Sequence, residues 1–125
     1  MKIKELFETN KTVFSFEIFP PNDKFPIDKF YDVINDLSQH KPDFISVTYG
    51  AGGSTRNKTV EIASHIKNNL NIEKVAHLTC VGSTKEEIQN ILAQLKANNI
   101  KNILALRGDF KYSSDLIHEL KTHTD

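Results

Sequence analysis

The sequence predicts an α/β fold of parallel (β/α) units, on three observations. Short stretches of β-favouring residues alternate with stretches of helical periodicity in the order βαβαβαβα. The strand starts near Val13, Phe44, Val75 and Ile103 recur at about thirty residues, the size of one βα unit. Each strand also ends in a polar or charged group, and ligands of parallel α/β folds bind at the carboxyl ends of the strands.

Thr12 to Phe19 reads as the first strand. Alternation puts Phe14, Phe16 and Ile18 on one face and Val13, Ser15, Glu17 and Phe19 on the other. Pro20-Pro21-Asn22-Asp23 stops it, because proline cannot donate to the ladder. Ile27, Phe30, Val33, Ile34 and Leu37 then keep helical spacing up to a break at His40-Lys41-Pro42-Asp43. Phe44 to Thr48 is the second strand, running into the glycine-rich loop Tyr49-Gly50-Ala51-Gly52-Gly53. Those glycines allow a tight turn or a ligand pressed against the main chain, and a plain βα connection accounts for them equally well. Ser54 or Thr55 is the expected cap of a second helix carrying Thr59, Ile62, Ala63, Ile66 and Leu70, with Asn68-Asn69 as its stop.

Lys74 to Cys80 is the third strand. Thr84 and Glu87 have capping-box spacing and open a third helix whose stripe is Ile88, Ile91, Leu92 and Leu95, ended by Asn98-Asn99. Ile100 to Leu106 is the fourth strand, closing on Arg107-Gly108-Asp109. Ser113 or Ser114 caps a last helix with Leu116, Ile117 and Leu120. Such a series makes a parallel sheet covered by helices, either an open doubly wound sheet or part of a (β/α)₈ barrel. A whole barrel takes about 250 residues. Residues 1–125 are read as a single domain.

Composition narrows the function classes. Sixteen basic residues balance sixteen acidic ones, so the formal net charge is zero. Neither nucleic acid nor an anionic membrane is an expected partner. The single Cys80 cannot form an internal disulfide and points to a reducing compartment. With no apolar leader and no stretch of membrane-spanning length, a cytoplasmic location is expected.

Glu17 is the strongest chemical feature. A carboxyl inside Phe16-Glu17-Ile18-Phe19 is costly to bury unpaired, and a desolvated carboxyl holds its proton as a general acid must. A structural ion pair, with Arg107 for example, is the competing explanation. His77, between Ala76 and Leu78, reads first as a buried hydrogen-bonded histidine, with no metal-ligand spacing around it. The other histidines fall on helices or their ends and are expected in solvent. Cys80 is expected to be a small packing residue, and no metal site follows. A capped βα turn explains Arg107-Gly108-Asp109 as well as a ligand site does. Without G-x-G-x-x-G or a Walker motif, Rossmann or P-loop nucleotide binding is disfavoured.

Four motifs nevertheless occur together and in order: Phe16-Glu-Ile-Phe-Pro-Pro21, Ser46-Val-Thr-Tyr-Gly-Ala-Gly-Gly-Ser-Thr-Arg56, His77-Leu-Thr-Cys80 and Ala105-Leu-Arg-Gly-Asp109. In these the chain resembles the methylenetetrahydrofolate reductase family over nearly its whole length. The resemblance implies a TIM-type (β/α)₈ barrel of which four of the eight units, the N-terminal half barrel, are present. It implies non-covalent FAD, NADH or NADPH as co-substrate, and reduction of 5,10-methylenetetrahydrofolate to 5-methyltetrahydrofolate in one-carbon and methionine metabolism. The hydride would pass from nicotinamide to flavin and from flavin to the folate. By the same resemblance Glu17 matches the catalytic acid, and Asp109 a catalytic aspartate beside flavin and folate. Thr48, Tyr49, Ala51, His77, Arg107, Gly108 and Asp109 match cofactor-holding positions, as does Ser113.

Two departures accompany the resemblance. Only Phe110 and Lys111 separate Asp109 from Tyr112, where family members carry a longer loop with proline and glycine. The family's second half-barrel, with its further contacts, is not in this sequence. The alternative to a reductase is therefore a truncated, non-catalytic chain that keeps the fold without binding FAD productively. A (β/α) lyase or aldolase piece is a weaker option, because the strand ends lack a Schiff-base lysine. A second copy of the chain, as a homo-oligomer, is one way to supply the missing half.

Overall fold

A computed structural model of the protein describes residues 2–22, 24–49 and 53–109, with side chains from Lys58 onward in the last range. Its four strands are β1 (Ser15–Ile18), β2 (Phe44–Val47), β3 (Glu73–Thr79) and β4 (Asn102–Leu106). They form one sheet in the order β1-β2-β3-β4, every pair parallel. Between them run α2 (Ile27–Ser38), α3 (Gly53–His65) and α4 (Lys85–Ala97). Sequential parallel strands, each separated by a helix, are the half of a TIM-type barrel that the sequence predicts.

The core lies between the sheet and the helices. Ile18, Ile45, Val47 and Ala76 point from one face of the strands into Ile34 of α2, Ile62 and Ala63 of α3 and Leu95 of α4. This is the face the alternation assigned to Ile18. Tyr31 of α2 donates to Glu61 of α3 at 3.2 Å and stacks on the His65 ring at a centroid distance of 3.8 Å. His65 is thus partly buried against its neighbour helix, not solvated as its helical position suggested.

Several boundaries differ from expectation. β1 is shorter than Thr12 to Phe19, because its partner strand begins only at Phe44, opposite Ser15. Upstream of it, Phe14 and Asp43 are joined by reciprocal bonds instead, Asp43 N–H to the Phe14 carbonyl at 2.7 Å and Phe14 N–H to the Asp43 carboxylate at 2.8 Å. α3 begins at Gly53, so Ser54 and Thr55 lie inside its first turn and do not precede it. It continues into a π-helical turn, Ile66–Leu70, and stops at Asn71 in the left-handed region. A short helix, α1 (Ile3–Phe7), was not foreseen. It lies under the amino ends of the strands, with Ile3 N–H bonded to the Asn102 side chain at 2.8 Å and Phe7 edge-on to Phe44. The capping box on α4 is formed as predicted, Glu87 N–H to the Thr84 hydroxyl and Thr84 N–H to the Glu87 carboxylate, each 3.1 Å. The helix expected after Ser113 or Ser114 lies outside the described residues.

Candidate active site

The face of the sheet opposite the helices carries the polar groups. Register places Glu17 beside Ser46, Ser46 beside Val75, and His77 beside Leu104. With a two-residue side-chain period, Glu17, Ser46, His77, Thr79, Leu104 and Leu106 therefore share this face. In a barrel it is the interior.

Glu17, Ser46 and His77 meet there. The Ser46 hydroxyl is 2.6 Å from His77 Nε2, and the Glu17 carboxylate is 3.5 Å from the same nitrogen. Ser46 and His77 are buried, whereas the Glu17 side chain is 53% exposed. The desolvation expected of Glu17 is thus not present in this half-barrel, since nothing among the described residues closes over it. Its partner is His77, and the ion pair imagined with Arg107 is not needed to explain its place.

The rim above this trio is built from strand exits whose pairing continues past the strands. Thr48 N–H bonds the Ile18 carbonyl at 3.0 Å, Cys80 N–H the Leu106 carbonyl at 2.9 Å, and Val81 N–H the Arg107 carbonyl at 2.8 Å. The buried Thr59 hydroxyl of α3 donates to the Thr48 carbonyl at 2.9 Å, and Lys58 donates to the Pro21 carbonyl at 3.1 Å. These bonds fix the ends of β1 and β2 to one helix. Tyr49 is partly buried just beyond Thr48.

Gly108 turns with φ +87°, and a Cβ there would lie 2.3 Å from Thr79 Cγ2 and 2.6 Å from Val81 Cγ1. Glycine lets the chain lie flat on β3 and its exit, leaving Arg107 and Asp109 exposed on either side. An exposed guanidinium and an exposed carboxylate thus flank a bare glycine at the exit of β4. Ala51 and Ser113 lie outside the described residues. Cys80 is partly buried, its Sγ 3.9 Å from the Leu78 carbonyl, as expected of a packing residue. Among the described residues there is no group of three or more metal-ligating side chains, and no helix long and apolar enough to cross a membrane.

The sequence reading did not single out Ser46. The sequence shows only a polar residue between Ile45 and Val47, and it takes the strand register to put it beside Glu17. Lys74 was missed for the opposite reason. A lysine at a strand start reads as solvent-facing, yet it is 1% exposed on the helix side.

Four parallel strands with three intervening helices, and an acid–imidazole pair on the face opposite those helices, have the architecture of half a TIM-type barrel. The chain belongs to the family described as methylenetetrahydrofolate reductase, whose pattern it matches over residues 2–124. It is 41% identical over 114 residues to the probable methylenetetrahydrofolate reductase (NADH) of Oryza sativa subsp. japonica, covering 91% of this chain and 19% of the relative. The methylenetetrahydrofolate reductase (NADH) 1 of Arabidopsis thaliana is 40% identical over 114 residues, covering 91% and 19%. The 5,10-methylenetetrahydrofolate reductase of Escherichia coli (strain K12) is 39% identical over 119 residues, covering 89% and 40%. The chain therefore spans between 19% and 40% of the length of these relatives.

Proposed function

We propose that these residues form one wall of the active site of a reductase that converts 5,10-methylenetetrahydrofolate to 5-methyltetrahydrofolate with NADH or NADPH. The observation that carries this reading is the Glu17–His77 pair, 3.5 Å apart on the barrel-interior face, below a rim of bare backbone and opposite charges. Glu17 is the only carboxylate on that face in the middle of the described strands, where it would give a proton to the methylene-bridged ring and open it. Thr48, Tyr49, Ala51, His77, Arg107, Gly108 and Ser113 would hold FAD, and Asp109 would stand between cofactor and folate. When bound, FAD would supply the hydride chemistry. The relatives' printed names support the reaction and, for the plant proteins, NADH.

A second reading has its own observation. Leu104 and Leu106 on the interior face are 44% and 38% exposed, so the wall stands open, and a chain in this state keeps the fold without binding FAD productively. Adding FAD to the purified chain separates the two. Uptake with a shifted flavin absorbance supports the reductase wall, and a protein that stays colourless supports the second reading. In an active form of the relatives' length, Glu17→Gln is expected to keep flavin reduction by NADH and to lose folate reduction by about 10²-fold or more. Loss of both half-reactions would refute the acid role.

A further inference from the structure

Ser46 belongs to none of the groups so far given a role, yet it makes the shortest contact in the site, 2.6 Å to His77 Nε2. Both side chains are buried, and a buried hydroxyl that donates to nothing is costly. Among the described residues the acceptor that the Ser46 hydroxyl reaches is Nε2. If Ser46 donates to it, the neutral ring carries its proton on Nδ1. The same Nε2 faces Glu17 at 3.5 Å. An Nε2–H would donate to a Glu17 carboxylate and stabilise the ionised form, which makes a worse acid. An Nε2 already accepting from serine offers that carboxylate no donor.

We propose that Ser46 is a positioning residue for the acid: by donating to Nε2 it fixes His77 as the Nδ1–H tautomer and so keeps the ring from stabilising the Glu17 carboxylate. The inference rests on the reading of Glu17 as the acid, but its structural half needs neither flavin nor folate. Nothing in the sequence pattern alone distinguishes this serine from a filler. The crossing of β1, β2 and β3 on one nitrogen does.

Histidine ¹⁵N spectra of the 125-residue chain test it, taken above the imidazole titration range of about 6.5. The expected parent signal is an unprotonated Nε2 and a protonated Nδ1 on His77. Ser46→Ala should move the proton to Nε2, and Ser46→Thr, which restores a hydroxyl, should return it to Nδ1. A parent ring protonated on Nε2 overturns the proposal even if no variant folds, and so does a Ser46→Ala ring unchanged from the parent. In an active form of the relatives' length, Ser46→Ala should slow folate reduction by about tenfold and leave flavin reduction by NADH within about twofold. Equal slowing of both half-reactions overturns the positioning role. The expected tautomers in a protein that reduces no folate would sink the reductase reading alone.

Discussion

Lys74 is the residue whose burial runs against its chemistry. It starts β3 on the helix side, among the core, 1% exposed. Desolvation, with the neighbouring Lys67 second, pushes its ammonium down to about 8, against a smaller opposing pull from Glu73. The unfolded chain holds this proton up to about 10.5, so between about 8 and about 10.5 the unfolded state binds more protons and stability rises with pH. Below about 8 the folded chain carries the full cost of a buried charge. Lys74→Met should therefore stabilise the fold at neutral pH by about 1–3 kcal/mol and flatten the rise. Urea titrations of both chains at neutral and alkaline pH check it, and an unchanged pH slope would show that another group sets it. At this scale the sequence was informative where chemistry and position agree. Glu17 and His77 stood out because polar groups are rare in apolar strands. Lys74 and Ser46 were hidden because their meaning depends on which face a strand turns to its neighbours, and a single strand does not contain that.

At the scale of elements, local signals were reliable where the same residues provide both partners. Thr84 and Glu87 bond each other's backbone at 3.1 Å as their spacing requires, and two orphan N–H groups are satisfied within one turn. Thr84→Ala removes the hydroxyl and releases Glu87, and a loss of about 1 kcal/mol is expected in the urea midpoint analysis. Glu87→Gln keeps the geometry and should cost less than half of that; equal losses would mean that charge, not the box, does the capping. Boundaries set by distant partners were less legible. β1 shortens because pairing starts only at Phe44, and α1 is too short for a periodicity, resting on Asn102 and Phe44 from far along the chain. The three helix-to-strand turns each contain a residue in the left-handed region: Lys41 at φ 50°, Asn71 at 52° and Asn99 at 57°. The asparagines advertise that conformation, since their side chains tolerate it, and the lysine does not.

At the scale of the whole molecule, the fold class was legible because it depends on repetition, and four βα units repeat whatever their details. The polar character of the strand exits was legible as well, since each exit shows it in its own residues. What no single strand announces is the state of the interior face. Over β2 and β3 the helix side is covered by α2, α3 and α4, whereas β4 shows Ile103 at 38% exposure on that side and Leu104 at 44% and Leu106 at 38% on the other, and β1 and β4 are the edge strands of the described sheet. Apolar residues aligned two apart on an open strand form a patch that water covers at a cost of about 25 cal/mol per Å². The purified chain should therefore bind an environment-sensitive hydrophobic dye while retaining its far-UV helix signal. Leu104→Lys combined with Leu106→Lys should lower the dye fluorescence, leaving a remainder from other exposed apolar side chains such as Phe19 and Ile103, and leave the fold intact, because neither leucine belongs to the helix-side core. The added lysines also protect β4 as an edge. Dye binding unchanged by the double substitution would place the exposed surface elsewhere. Loss of the helix signal would show that these two leucines already hold the sheet together and are not waiting on the open side of a barrel.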